Sequence, residues 1–291
     1  MITCLPDSEL ERFIEEDLPY GDLTTHLLGI GQQRGTISFV TRHETTVCCT
    51  EEAARLLEKC GCRIVSYTAS GTFLEADREL LLAEGTAQAL HAGWKMALNL
   101  LEYGSGIATR TARIVASARR ANPRIAVVTT RKLFPGTKKL AIKAICAGGA
   151  LPHRLGLSES VLVFRQHTVF MDEIAFLKQL AELKVRAPET KLIVEAESAD
   201  DAQRLALTGV DLIQFDKLQP HILKGLVRQI RQVNSRVTLS AAGGINEQNA
   251  AEYAASGIDI LVLSSVYFGK PADIAATITP LEETLEPTRT R

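Results

Sequence analysis

From Arg124 onward the chain repeats one pattern: a short apolar run, a polar ending, then an amphipathic stretch. The runs are RIAVVTT, SVLVF, KLIVEAE, DLIQFD, RVTLSAA and DILVLSS, and between the later ones lie DEIAFLKQLAEL, DDAQRLALTG, HILKGLVRQIRQV and INEQNAAEYAASG. Strand and helix alternating every 20–30 residues or so read as parallel strands joined by crossover helices, since a parallel connection must travel back along the sheet. Runs this continuous in Val, Ile and Leu belong to strands covered on both faces. No G-x-G-x-x-G follows the first run. Six such units therefore favour a closed or nearly closed barrel over a dinucleotide-binding sheet.

The residues before this region follow another rhythm. SELERFIEEDL reads as a helix with Ser8 as its N-cap, YGDLTT as a turn, and TISFV, TTVCC, CRIVSY and ELLLAEG as strands, with one helix, EEAARLLEKC, among them. HAGWKMALNLLEYGSGIATRTARIVASARRAN is expected to be helical but interrupted near Gly104-Ser105-Gly106. These signals give an α/β chain of two parts, a small N-terminal domain over residues 1–105 and a barrel over 106–270, with residues 271–291 expected to return to the first domain.

Composition excludes several classes. The chain has 291 residues, 46% hydrophobic and 23% charged, with a net charge of −1. That is enough for a sizeable core, and too balanced for general nucleic-acid binding. No apolar run reaches the roughly 18 residues a membrane-spanning helix requires. MITCLPDSELERF lacks the basic and apolar regions of a secretory signal, so a cytoplasmic location is expected. The six cysteines have neither C-x2-C spacing nor His partners and are read as reduced thiols holding no metal.

In barrels of this kind the chemistry sits at the carboxyl ends of the strands. Those ends carry Arg131 and Lys132, then Phe164-Arg165-Gln166-His167, Glu195 and Glu197, Asp216-Lys217, Gly243-Gly244, and Ser264-Ser265. Alternation puts Ile193, Glu195 and Glu197 on one strand face and Leu212, Gln214 and Asp216 on another. Carboxylates facing a barrel interior require cations or a metal beside them. The Gly243-Gly244 turn before a helix, with Ser264 and Ser265 at the next strand end, points to a phosphate cradle. Thr129–Ser160 adds Arg131, Lys132, His153 and Arg154, which suit a small polyanion and its Mg2+. Lys138, Lys139 and Lys143 follow Pro135-Gly136 on a short helix, and a solvated face is expected for most of them.

Several strings resemble the quinolinate phosphoribosyltransferase family: EEDLPYGDLTT, LNLLEYGSGIAT, TTRKLFPGTKKLAIKAICAGGALPHRLGL, then EAES, FDK and AAGGI. The resemblance implies an N-terminal α/β sandwich joined to an incomplete, open α/β barrel, the type II phosphoribosyltransferase fold, with subunits paired as homodimers or higher homo-oligomers. It implies that Arg131 and Arg154, accompanied by His153, hold carboxylates of the acceptor, and that Lys132 lies near phosphoribosyl pyrophosphate. Glu197 and Asp216 would handle Mg2+ and the ribose hydroxyls, partly through water and substrate, and Gly243, Gly244, Ser264 and Ser265 would hold the 5′-phosphate.

Two places depart from the family pattern. Trp94-Lys95 stands where the family has Glu-Arg, whose Arg reaches the acceptor from the neighbouring subunit, and Phe164-Arg165-Gln166-His167 stands for Lys-Asp-Asn-His. Losing a Lys to Phe164, and bidentate geometry at Lys95, removes charge-assisted contacts of about 1.5–3 kcal/mol each. With FPGTK, AGGA, PHRLGLSE and FRQH, the chain resembles a narrower group, the ModD pyrophosphorylase-like proteins encoded with molybdate transport systems. The resemblance thus implies Mg2+-dependent phosphoribosyl transfer to a nitrogen heterocycle or related acceptor, linked to molybdate transport. Two rivals stay open: a quinolinate enzyme with a variant pocket, and a non-catalytic barrel that binds phosphate or an oxyanion.

Overall fold

The structure is a computed structural model, and it describes residues 4–281. The part of the expected returning tail beyond Leu281 lies outside the described residues. The chain forms two compact units, one holding residues through Thr109, Lys139–Ala147 and the segment from Lys270, the other holding Arg110–Lys138 and Gly148–Gly269.

The first unit opens with α1 (Asp7–Asp17), α2 (Leu23–Leu28), β1 (Arg34–Thr41) and β2 (Thr45–Thr46). Then come α3 (Thr50–Lys59), β3 (Arg63–Tyr67), β4 (Phe73–Leu74), β5 (Glu79–Thr86) and the long α4 (Ala87–Ala121), whose residues beyond Thr109 belong to the second unit. In β1 every second residue is buried, with Ile37 and Phe39 fully enclosed, as a strand with one covered face requires. The helix α1 begins one residue before Ser8 and its N-cap position is Pro6, so Ser8 caps nothing. YGDLTT is a turn only as far as Asp22, whose carboxylate accepts from the backbone N–H groups of Thr24 and Thr25 and starts α2. TTVCC is strand only at its first two residues, because Cys49 adopts a left-handed conformation (φ 65°) at the start of α3.

The expected break in the long helix is absent: α4 continues through Gly104-Ser105-Gly106. Both glycines serve close packing within the first unit. A Cβ on Gly104 would lie 2.7 Å from the Cys49 sulfur, and one on Gly106 2.9 Å from the Ala272 nitrogen. Between them Ser105 Oγ accepts from the Cys48 N–H at 2.9 Å. Here the small residues trade helix propensity for backbone approach.

The second unit carries β6 (Ala126–Thr129), after which α5 (Lys138–Ala147) returns to the first unit from Lys139 onward. The barrel resumes with β7 (Leu151–Pro152), β8 (Val161–Val163), α6 (Arg165–Thr168), α7 (Glu173–Arg186) and β9 (Leu192–Ala196). It continues through α8 (Ala199–Leu207), β10 (Leu212–Asp216), α9 (Pro220–Val233), β11 (Thr238–Ala242), α10 (Ala250–Ala255) and β12 (Ile260–Leu263). Seven parallel strands pair in the order β7-β6-β12-β11-β10-β9-β8, leaving β7 and β8 as the two edges of an open barrel. The first four residues of β10 are buried on both faces. One covering layer is α9, which buries Leu223, Leu226, Val227 and Ile230 at helical spacing. Leu162, Ile193 and Leu212 form one inner cluster, and Val128, Ala242 and Val262 another.

A final strand, β13 (Ile274–Pro280), belongs to the first unit, where a four-stranded antiparallel sheet runs β13-β1-β5-β3. Lys138 and Lys139 are exposed, as expected for most of these lysines, and Lys143 is the exception, fully buried. The reason is chemical: its ammonium lies between the carboxylates of Glu51 and Glu52 on α3.

Candidate active site

The carboxyl ends of the barrel strands enclose a cavity of about 530 Å³ whose lining comes entirely from the second unit. It brings together Arg131 and Lys132 after β6, His153 and Arg154 after β7, Phe164 after β8, and Glu195 on β9. Gln214 and Asp216 of β10, Gly243 after β11 and Ser264 after β12 complete it. The two inner apolar clusters contribute Leu162, Ala242 and Val262 to the lining.

The cationic side is crowded. The His153 backbone N–H donates to the Thr129 carbonyl at 2.9 Å, placing the imidazole on the cavity wall, and its Nε2 is buried without a hydrogen-bond partner. Burial, and then the charge of Arg154, pushes the His153 pKa below that of an ordinary histidine, so the ring is neutral at pH 7. Burial, followed by the charge of Arg131, likewise lowers the Arg154 pKa, with Glu159 opposing. The guanidinium stays charged all the same, so two neighbouring cations, Arg131 and Arg154, line the cavity. Glu159 accepts from the backbone N–H groups of Leu155 and Gly156, which folds the loop that follows Arg154.

The acidic side is Glu195 and Asp216. Glu195 accepts a hydrogen bond from Gln214 Nε2 at 3.0 Å. Its pKa is raised by burial first and further by the charge of Asp216. Asp216 ends β10, and its carboxylate is 3.3 Å from Lys217 Nζ. Gly243 makes this arrangement sterically feasible: with φ +84°, it leaves open the space where a Cβ would meet Asp216 Oδ1 at 2.5 Å. Here the glycine is required both by conformation and by close approach.

Glu197 does not join this pair. β9 ends at Ala196 and the chain then turns into α8 with Ser198 as N-cap, so strand alternation stops one residue before Glu197. Its carboxylate lies 3.7 Å from Arg165 Nη1, and both residues line an adjoining cavity of about 450 Å³. Phe164 and Glu195 line both cavities. Arg165 therefore supplies no charge to the first one. The Phe164 N–H donates to His167 Nδ1 at 3.0 Å, and the two rings stack with centroids 6.0 Å apart.

The phosphate-cradle residues separate as well. Gly243 and Ser264 line the cavity, whereas the Ser265 hydroxyl donates to the Ile245 carbonyl at 2.8 Å and braces the loop. Gly244 is an exposed turn residue (φ +73°) whose carbonyl accepts from Asn249 Nδ2 at 3.0 Å. The helix expected to start at this turn starts at Ala250, because Asn246 and Asn249 hold the intervening residues as a loop. Lys95 is an exposed residue of α4 in the first unit, with its ammonium 5.4 Å above the Trp94 ring. Gln214 drew no functional reading from the sequence. The signal was its position two residues before Asp216 on an inward face.

An open parallel barrel accompanied by a four-stranded antiparallel sheet is also the fold of NadC from Streptococcus pyogenes, a solved structure with a TM-score of 0.86 at 23% identity over 96% of this chain and 100% of that one. The "Quinolinate phosphoribosyl transferase, N-terminal domain" description matches residues 22–105, and the corresponding C-terminal domain description matches residues 107–275. The chain belongs to the quinolinate phosphoribosyl transferase family and is a glycosyltransferase of the phosphoribosyl-transferring kind. Over 247 residues it is 41% identical to the protein named pyrophosphorylase ModD in Rhodobacter capsulatus, covering 85% of this chain and 95% of that one. It is 37% identical over 273 residues to the ModD of Pasteurella multocida, covering 94% and 97%.

Proposed function

We propose that the protein transfers the phosphoribosyl group of phosphoribosyl pyrophosphate to a nitrogen heterocycle other than quinolinate, releasing pyrophosphate. One observation carries this reading: a single cavity mouth holds cations, two carboxylates, a glycine turn and an aromatic wall, the set a phosphorylated sugar and a flat anionic acceptor require together. The bond from ribose C1 to the pyrophosphate oxygen breaks as the acceptor nitrogen bonds to C1, through an oxocarbenium-like transition state. The protein orients the two partners and stabilises charge, with no covalent intermediate on a side chain. Lys132 faces the departing pyrophosphate. Arg131, Arg154 and neutral His153 position the acceptor, with Phe164 against its ring. Gly243 and Ser264 hold the 5′-phosphate.

Glu195 and Asp216 are the residues that would hold Mg2+. They fit it, because the charge of Asp216 raises the pKa of Glu195, a cost that a cation held by the pair would relieve, and two carboxylates completed by water and phosphate oxygens are a normal magnesium set. When bound, the ion neutralises the leaving pyrophosphate. The reading further includes a pair of copies in which Lys95 of one chain serves the cavity of the other, and a role beside molybdate uptake. The first is supported by Lys95 being exposed, the second by likeness to the proteins named ModD.

The test is pyrophosphate release from phosphoribosyl pyrophosphate and Mg2+ with quinolinate, nicotinate and a panel of heterocycles. Release is expected with an acceptor other than quinolinate. Release with quinolinate alone would reassign the chain to a variant of the quinolinate reaction. Failure to bind phosphoribosyl pyrophosphate at all would leave a binding protein without turnover.

A further inference from the structure

Buried polar atoms are normally paired, and an unpaired one beside a cavity is a place where a bound group can complete the bonding. Gln214 is such a residue. Its side chain is 4% exposed, lines the cavity, and sits on β10 between Glu195 of β9 and Ser240 of β11 in the strand register. Its Nε2 is committed to Glu195 Oε2 at 3.0 Å, which turns the amide so that Oε1 is the free atom. That Oε1 is buried and has no partner. The neighbouring Ser240 is fully enclosed, and its hydroxyl is likewise without a hydrogen-bond partner and does not bond to Oε1. Leu162 and Phe164 supply apolar lining to the same cavity.

We propose that Gln214 is a specificity-determining residue of the acceptor pocket: its Oε1 accepts a hydrogen bond from an N–H or O–H group on the acceptor. The acceptor class is then an anionic heteroaromatic bearing an amino, hydroxyl or lactam donor in addition to its nucleophilic ring nitrogen. This deepens, and rests on, the transfer reading above. A buried acceptor atom discriminates strongly, because an analogue without the donor leaves it desolvated and unpaired. An apolar residue of similar size at position 214 would accept both analogues alike. The anionic end of the acceptor is served by Arg131 and Arg154 and its ring by Phe164, so the donor recognised by Gln214 lies on the edge facing β10.

Isothermal titration of the intact protein with nicotinate and its 2-, 4-, 5- and 6-amino derivatives, in the presence of phosphoribosyl pyrophosphate and Mg2+, tests this. At least one amino derivative is expected to bind about tenfold or more tightly than nicotinate. Gln214→Met, of similar volume and without an amide, should erase that margin; because it also removes the bond to Glu195, the margin is taken against nicotinate bound to the same variant. Equal affinity across the series in the wild type overturns the proposal without any variant. So does the absence of binding by every member, or a margin that survives in Gln214→Met, which would mean that an ordered water satisfies Oε1. Pyrophosphate release followed in the same samples separates the two readings. Donor-dependent binding without release sinks the transfer reading and leaves Gln214 as a recognition residue, while release that ignores Gln214 does the reverse.

Discussion

The first unit and the barrel both hold charge in or near their interiors, and they do so differently. In the first unit Lys143 has no exposed surface and lies between Glu51 and Glu52. Glu51 also accepts from the N–H and hydroxyl of Ser70, and Glu52 accepts from the Leu5 N–H at 3.0 Å. Unlike charges meet, and the remaining lone pairs are used. At the barrel mouth unlike charges also meet, Lys217 with Asp216, but like charges crowd as well: the Arg131 charge lowers the Arg154 pKa, and the Asp216 charge raises that of Glu195. His153 Nε2 and Gln214 Oε1 are left without partners there, as Thr50 Oγ1 and Trp94 Nε1 are in the first unit away from the carboxylates. A closed arrangement is complete in the folded chain, whereas an open one is complete only with ligand bound. Incomplete pairing is therefore what marks the barrel-mouth cluster as the candidate site, while the Lys143 cluster is structural.

The comparison breaks most visibly at Lys143. Lys143→Ala leaves two buried carboxylates facing each other, and urea unfolding should show a loss of about 3–5 kcal/mol. If unfolding is unchanged, the cluster is not holding the first unit together. Arg154→Ala should do the reverse. Acceptor kcat/KM should fall by about 1.5–3 kcal/mol, roughly 10- to 100-fold, while the melting temperature stays equal or rises as the cationic crowding is relieved. A lowered melting temperature with an unaltered acceptor KM would make Arg154 structural.

The smallest effects are in acid. The Glu51 carboxyl is held down to about 2 against the burial that opposes it, by its bonds to Lys143 and Ser70. Its stabilisation is full above the unfolded value near 4.5 and is lost as the pH falls toward about 2. His153 has a depressed folded pKa, so the unfolded chain takes up its proton first and stability starts to decline as the pH drops below 6.5. His153→Gln should remove that upper slope from a stability-against-pH series and leave the lower one. A series in which both slopes persist would trace the upper one to another group.

Much of the barrel was legible because each of its long strands is a continuous apolar run ending in polar residues, a pattern that burial on both faces imposes. β7 was not, since Leu151-Pro152 is two residues long and carries no period. Gly104 and Gly106 read as helix breakers because sequence shows a missing side chain and hides the sulfur and backbone that occupy its place. Lys143 could not be told apart from Lys138 and Lys139 in the sequence because its partners lie on α3, far away in the chain. In the site, alternation put Glu195 and Glu197 together, which holds only while the strand lasts. Its end at Ala196 sends Glu197 to Arg165 and leaves Glu195 facing Asp216 across the neighbouring strand. Gln214 carries no motif. Its significance lies in an unmet hydrogen bond, which appears only when every neighbour has been placed.

β13 returns to the first unit and pairs with β1 from Gly35–Pro280 to Thr41–Ile274. Its consequence falls on how the molecule is made. A ribosome delivers β1 early and its outer neighbour only after the whole barrel has been synthesised, on the order of ten to fifty seconds later at about 5–20 residues per second. Throughout that interval β1 presents an unpaired edge, the kind that recruits strands from other nascent chains. The first unit thus starts before the barrel in the chain and closes after it, and a truncation before Ile274 should leave a chain prone to associate through that edge.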